Sequence, residues 1–513
     1  MTQATVTQPR HRAFLPLTPA HARAAHAQAA NALPAADASP QADPREAFAR
    51  KMADAGLNAR LVSLFLDYYE DIRGNRSGLI PESDILPVGR DDFAELADLA
   101  PYAAAGRKLL ARAVTIRLNG GLGTSMGMTH AKSLLPAKDG KTFLQIIHQQ
   151  TEHQREPGAP SALLLMNSFA THTDTQRELL RIAPREAMPA LFMQHRFPKV
   201  GRTTLRPVSR PDYPQQEWNP PGHGDIYAAL VLSGTLEGLL RQGRRYALIA
   251  NADNLGATIA PAILGYMAEE EIPFIMECAP RTASDRKGGH LARSRSGGLL
   301  LRELAQCPEA DLPRFQDIAR YGLFNTNNIW IDLHALRNHV EQHGLLHLPM
   351  MLNPKTADPR DKHSEPVWQI ETAMGAAIAL FPGARAIVTT RERFLPVKKC
   401  SDLLVLRSDC FILHADGRVL PNDARSGVAG CSTDIPPVVD LDPNHYGTWD
   451  RLDARFPHGA PSLLGCTSLT VRGDVLFGRN VTVRGAVHIT NPSVMQARIP
   501  DNAILEEDIH LQP

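Results

Sequence analysis

The chain is poor in lysine and has no charge of one sign to spare. Only 11 of its 55 basic residues are lysine, and 54 acidic residues leave a net charge of +1. That balance excludes a bulk electrostatic pull toward nucleic acid or an anionic membrane surface. No apolar run approaches the roughly 20 residues that span a bilayer, so no membrane partner is expected. Cysteine is sparse too: Cys278, Cys307, Cys400, Cys410, Cys431 and Cys466 contain no C-x-x-C pair. This argues against a zinc site and a secreted disulfide framework, and suits a reducing cytoplasm. No Ser-His-Asp or Cys-His constellation is visible. A Walker A loop is absent, and the dinucleotide fingerprint is missed by one residue, since Gly121, Gly123 and Gly127 read G-x-G-x-x-x-G.

What is present centres on Val114–Lys138. Val114-Thr115-Ile116-Arg117-Leu118 reads as a strand, followed by a loop with Gly120, Gly121, Gly123 and Gly127 and then Lys132. Glycines let backbone N–H groups approach phosphate oxygens, and a lysine adds a point charge. Because lysine is scarce, Lys132, Lys287, Lys355 and Lys398 stand out, each inside a motif.

At 513 residues, with 43% hydrophobic and 21% charged residues, the chain is a soluble globular protein of two or three domains. Residues 1–42, rich in Ala, Pro, Gln and His, read as a disordered tail. Its arginines without acids have the charge balance of a transit peptide, but no continuous amphipathic helix accompanies them. Residues 43–110 read as a helical region opened by Asp43 as N-cap and Pro44 at the first helical position, with a second helical patch over Asp91–Leu99. From 111 to 400 apolar runs alternate with helical segments, which predicts a mostly parallel α/β sheet. Leu163–Met166, Leu191–Met193 and Tyr246–Ala250 each run into polar motifs, so those motifs converge at the carboxyl ends of the strands. Residues 401–513 form a C-terminal region of different rhythm. Leu469/Val471, Val475/Phe477, Val481/Val483 and Val487/Ile489 recur every six residues, the signature of a parallel β-helix over about 466–490, with a pair of hairpins as the alternative.

Several motifs carry chemistry. Asp253, at a strand end in Asn251-Ala252-Asp253-Asn254, is a natural Mg2+ ligand, because that cation takes one or two carboxylates plus phosphate. Trp218–Asp225 is a rigid turn presenting His223 between glycines. Lys287-Gly288-Gly289 is a further glycine pair, and Glu303 ends the run Leu299–Arg302. Phe324–Asn328 reads as an asparagine-rich turn with amides for sugar hydroxyls. Lys398 follows a proline-stiffened segment and can neutralise phosphate charge in a transition state. His343 and His347, separated by Gly344 and lacking an acidic partner, read as surface residues.

In order, LNGGLGTSMG with Lys132, MNSF, PPGHGDIY, NADNLGAT, KGGHL, FNTNNIW, NPKT and RFLPVKKCSDLL resemble the UTP–glucose-1-phosphate uridylyltransferase family of eukaryotic type over roughly residues 45–490. MTHAKS and PVKKCSDLL are similar to its protozoan, monomeric branch. The resemblance implies a Rossmann-like GT-A nucleotidyltransferase domain at 111–400 and a left-handed C-terminal β-helix. It implies nucleotide binding by Leu118, Asn119, Gly120, Gly121, Gly123, Gln194, Gly222 and Asn251, with Lys132 at the phosphates. His223 would hold the glucose phosphate, Gly289, Glu303, Asn325 and Asn327 would face the sugar, Asp253 would hold the Mg2+, and Lys398 would act with Lys132 in catalysis. The segment between Gly127 and Lys132 departs from the animal form, which puts the motion of that loop in doubt. The implied reaction joins UTP and glucose 1-phosphate to give UDP-glucose and pyrophosphate, in a monomer with a homo-oligomer left open. A broader UDP-sugar pyrophosphorylase, or a non-catalytic UDP-sugar-binding protein, remains an alternative at this level.

Overall fold

The computed structural model describes residues 43–155, 159–282, 285–433 and 435–511. The tail expected at 1–42 lies outside them. The first two helices, α1 (Pro44–Asp54) and α2 (Ala59–Arg73), begin at side-chain caps: Asp43 accepts the Arg45 N–H, and Asn58 accepts the Arg60 N–H. Their buried faces carry Phe48, Phe65 and Tyr69, and Phe65 meets Phe197 with ring centroids 5.2 Å apart. The pair thus covers the strands that lead into the cleft.

The main sheet is built from β1 (Phe93–Glu95), β2 (Ala113–Asn119), β3 (Leu163–Asn167), β4 (Ala190–Met193), β5 (Tyr246–Asn251), β6 (Phe274–Pro280), β7 (Leu323–Asp332) and β8 (Arg385–Val388). Their order is β1-β8-β6-β7-β5-β2-β3-β4. β5, β2, β3 and β4 run parallel, and so do β6, β8 and β1. β7 lies antiparallel between the two groups. β2 and β3 are buried on both faces, which is why their sequences read as continuous apolar runs. The architecture is therefore a mixed α/β fold around a large, parallel-rich sheet.

Two sequence expectations fail here. Asp91–Leu99 is not one helix: Phe93–Glu95 extends the sheet as edge strand β1, between a 3-10 turn at Arg90–Asp92 and a seven-residue 3-10 helix at Leu96–Tyr102. Pairing with β8 and packing of Phe93 override the local helical spacing. Phe324–Asn328 is not a turn but lies inside β7, where the register against β6 shifts between Glu277 and Cys278. Asn327 absorbs that bulge with φ +58°, a conformation asparagine tolerates better than most residues.

In the C-terminal part, Val438–Leu441, Cys466–Arg472, Gly485–Thr490 and Ile509–His510 form one parallel ladder. Val475–Phe477 with Ala497–Ile499, and Thr482–Val483 with Ile504–Leu505, form two more. Parallel pairing excludes the hairpin alternative. Leu469, Val471, Val475, Phe477, Val481, Val483, Val487 and Ile489 all point into a common core. Equivalent turns follow one another at 22 residues, as where the Asn480 amide donates to Asn502.

Candidate active site

The loop after β2 is doubled back and fixed rather than loose. The Lys132 N–H donates to the Gly121 carbonyl at 3.0 Å, and the Met126 N–H to the Gly123 carbonyl at 2.8 Å. Gly123 sits at φ +63°, and a Cβ there would lie 3.1 Å from Met128 Sδ and 3.2 Å from Lys132 Cγ. Met126 and Met128 are buried in the same apolar cluster as Leu403, Leu469 and Val483. Gly127 leans on Thr448, whose Cγ2 would be 2.6 Å from any added Cβ. The loop is thus anchored to the C-terminal part, while the space around Gly121 is open to a ligand.

One end of the cleft is made of backbone and one amide. A Cβ on Gly120 would come within 3.0 Å of Gln194 Oε1, and Ser168 Oγ donates to the Gly120 carbonyl at 2.8 Å. Gln194 follows β4, where its N–H donates to the Asn167 carbonyl and its side-chain amide to the Gly222 carbonyl, at 2.8 and 2.9 Å. Gly222 has φ +79° and stands against the Thr372 backbone, closer than any side chain permits. Gly120, Gln194 and Gly222 therefore come together, with bare glycine backbone on either side of the Gln194 amide. Leu118 is half-buried at the strand end. Asn119 is placed differently: its amide donates to Asn167 Oδ1 at 2.7 Å and Thr175 Oγ1 at 2.8 Å inside the sheet. Any ligand contact at Asn119 would fall to its backbone.

Next to this cluster, beginning at His223 directly after Gly222, side chains do the work. His223 Nδ1 accepts the Met374 N–H at 3.0 Å, so the ring's proton resides on Nε2. Burial, aided by the Lys398 charge, lowers its pKa to about 4, so this is a neutral hydrogen-bond donor. Glu303, at the end of Leu299–Arg302, folds over Gly289, and burial pushes its carboxyl up to about 7 against the pull of Lys398. The Asn325 N–H donates to the Gly289 carbonyl at 3.0 Å, and the Asn325 and Asn327 side chains are tied together at 2.9 Å. Lys398 is exposed, and its field reaches both His223 and Glu303.

Asp253 lies just past β5 and Asn251. Lys132 Nζ donates to Asp253 Oδ2 at 2.7 Å and also to the Val397 carbonyl. Asp253 Oδ1 is sealed from solvent and accepts no hydrogen bond. An orphaned carboxylate oxygen of this kind fits a divalent cation. Among the described residues no three or more His, Cys, Asp or Glu side chains converge on a metal, so remaining ligands would come from a phosphate and water.

Sequence reasoning missed the supports beneath these groups. Arg117, fully buried in β2, donates to the carbonyls of Asn251 (3.3 Å), Asn254 (2.9 Å) and Ala257, and so shapes the turn that carries Asp253. A single arginine inside an apolar strand was the available signal. Arg393 is bound by Glu277, a carboxylate with no exposure, whose other donors are Trp330 Nε1 at 2.7 Å and the Asn328 amide. Asp402 Oδ2 accepts the N–H groups of Lys398 and Lys399 at 2.7 and 3.0 Å. His343 and His347 are exposed, as read from sequence.

A family profile described as UTP–glucose-1-phosphate uridylyltransferase matches residues 62–484. The Saccharomyces cerevisiae enzyme of that name is 40% identical over 399 residues, covering 77% of each chain. Its Pyrus pyrifolia counterpart is 40% identical over 401 residues, covering 78% of this chain and 82% of its own. A Leishmania major UDP-glucose pyrophosphorylase variant solved with UDP-glucose superposes with a TM-score of 0.82 at 40% identity, over 91% of this chain and 98% of that one. A Trypanosoma brucei structure described as UDP-glucose phosphorylase gives 0.79 at 42% identity, over 91% and 100%.

Proposed function

The chain belongs to the UTP–glucose-1-phosphate uridylyltransferase family, and on that premise we propose that it converts UTP and glucose 1-phosphate to UDP-glucose and pyrophosphate in the cleft just described. The observation that carries the site assignment is the junction of Lys132, Asp253 and the Val397–Lys398 segment. The cluster of Gly120, Gln194 and Gly222 takes the uracil, with Leu118, Asn119 and Asn251 beside the nucleoside. Gly121 and Gly123 leave backbone room for the triphosphate, and Lys132 serves its charge. Next to that cluster, His223 donates Nε2–H to the sugar phosphate, and Glu303 over Gly289 accepts from sugar hydroxyls. Asn325 and Asn327 supply further polar groups.

A phosphate oxygen of glucose 1-phosphate, already anionic near neutral pH, attacks the α-phosphorus of UTP in line. The bond from that phosphorus to the bridging oxygen of pyrophosphate breaks. No proton need be removed from the nucleophile, and a neutral His223 is consistent with a positioning role rather than that of a base. Two anions must be held together, so orientation and charge neutralisation supply the rate. Lys398 reaches across from the far wall to the pentacovalent phosphorus. Asp253 would hold Mg2+ together with phosphate oxygens, and that ion would supply further neutralisation when bound.

The finer architecture follows the same reading. We take 111–400 as a Rossmann-like GT-A catalytic domain, 43–110 as its N-terminal cover, and 401–513 as a region whose parallel ladders wind a left-handed β-helix. The catalytic unit is taken as a monomer, with a homo-oligomer as the alternative. Six free cysteines suit a reducing cytoplasm. Among the described residues no helix is long and apolar enough to cross a membrane. The test is Lys398→Ala in a pyrophosphate-release assay. The expected result is a kcat lower by roughly 100-fold or more with the melting temperature retained; near-wild-type turnover removes Lys398 from the mechanism.

A further inference from the structure

The Lys132 ammonium already occupies Asp253 Oδ2, one of the two oxygens of the carboxylate that a bound cation would share with the unpartnered Oδ1. Both of its acceptors, Asp253 Oδ2 at 2.7 Å and the Val397 carbonyl, are oxygens of the kind a hard divalent ion takes. The pair is largely enclosed, with side chains 16% and 15% exposed. Asp253 Oδ1 has no donor of its own, so Lys132 is its nearest direct countercharge. The lysine is also held from behind. Its N–H is bound to the Gly121 carbonyl at 3.0 Å, and its Cγ lies against Gly123, where a Cβ would meet it at 3.2 Å. A free divalent ion must therefore expel an ammonium from an enclosed carboxylate and offers that ammonium nothing in exchange. A nucleoside triphosphate entering beside Gly121 offers it phosphate oxygens within reach of the same loop, and brings oxygen ligands for the ion.

We propose that Lys132 is a specificity-determining residue for the metal: it occupies the cation position at Asp253 until a triphosphate draws it off. The site then accepts a divalent cation only in company with a nucleotide. This rests on the reading of Asp253 as the metal-holding carboxylate. It gives Lys132 a role in the free enzyme distinct from its role at the phosphates.

The experiment uses Mn2+ as the probe, followed by electron paramagnetic resonance and by thermal melting, on the full chain without glucose 1-phosphate. Wild type is expected to take up no Mn2+ at millimolar concentration alone, and to take it up with UTP. Lys132→Met and Lys132→Gln are expected to bind Mn2+ without nucleotide roughly tenfold tighter than wild type, and to melt higher in its presence. The double variant Lys132→Met with Asp253→Asn should lose both effects. Using two lysine variants, each checked by its melt, separates exclusion from a folding defect. Equal uptake of free Mn2+ by wild type and both lysine variants, or uptake by none of them, overturns the proposal. If Asp253→Asn binds Mn2+ with UTP as tightly as wild type, it is the assignment of Asp253 that fails.

Discussion

Gly289→Ala tests the sugar end of the cleft with one methyl group. An added Cβ would stand 2.5 Å from Glu303 Cδ and Oε2 and 2.6 Å from Oε1, whereas ordinary contact begins at 3.4 Å. The main chain cannot give way easily, because the Gly289 carbonyl is held by the Asn325 N–H and His290 beside it is fully buried. The carboxylate must therefore retreat by about 0.9 Å from its present position. A charge-assisted hydrogen bond to a sugar hydroxyl does not survive such a shift, and its loss costs about 1.5–3 kcal/mol. The expected fall in kcat/KM for glucose 1-phosphate is roughly 10- to 150-fold. The three atoms nearest that Cβ all belong to Glu303 and none to a group proposed for UTP, so the UTP dissociation constant should stay within about twofold. The assay is pyrophosphate release with glucose 1-phosphate varied at saturating UTP, alongside calorimetric titration with UTP. Gly289→Ala with Glu303→Asp, which shortens the displaced side chain, should recover part of the loss. An unchanged kcat/KM for the sugar phosphate, or an equal loss of UTP affinity, would refute the placement of Glu303.

Three further predictions concern charge and support. Burial holds the Glu303 carboxyl at about 7 instead of its ordinary 4.5. Between those values the folded chain keeps a proton that the unfolded chain releases, so this group's contribution to stability falls as pH rises through that window. Glu303→Gln should flatten that part of the melting profile of the substrate-free protein, and should also remove a rise in KM for glucose 1-phosphate below about pH 7, where the neutral carboxyl is the weaker acceptor; an unchanged profile counts against it. Arg393→Met leaves Glu277 charged and sealed from water, at a cost of about 3–5 kcal/mol in urea unfolding, and adding Glu277→Met should return most of it; additive losses would mean the two do not couple. Asp402→Ala should lower kcat about tenfold through the freed backbone of Lys398 while leaving UTP affinity alone, with Asp402→Asn close to wild type; wild-type kcat in Asp402→Ala would end that assignment.

What could be read in the sequence was whatever burial makes repetitive. β2, β3 and β5 were visible because strands covered on both faces leave uninterrupted apolar runs, and β4 by its short run Leu191–Met193 although it is a half-exposed edge strand. The motifs at their ends were visible because glycine, asparagine and histidine have little reason to cluster there otherwise. Phe93–Glu95 was not, since a three-residue edge strand carries too little pattern to outweigh helical spacing nearby. Phe324–Asn328 misled because the polar residues of a bulged strand look like a turn until the partner strand is known. The Glu277–Arg393 pair was hidden for another reason, since only the fold shows that these charges are enclosed, whereas Arg117 was signalled by standing alone in an apolar strand. The Gly289–Glu303 contact depends on the antiparallel pairing of His290–Ser294 with Leu299–Arg302, which no local reading ranks above other pairings.

The anchoring of the glycine-rich loop bears on the order in which the protein matures. Met126 and Met128 share their core with Leu469, Val483 and Val487, and Gly127 rests on Thr448. A nascent chain that has emerged from the ribosome as far as residue 400 already carries every cleft residue named above, including Lys398. It still lacks the surface on which the phosphate loop takes its shape. Contacts over so many residues close late, because the intervening chain must first be ordered. The enzyme therefore completes its binding site only as its last 113 residues fold. An interrupted translation product would hold the chemistry in sequence without being able to capture the cell's UTP.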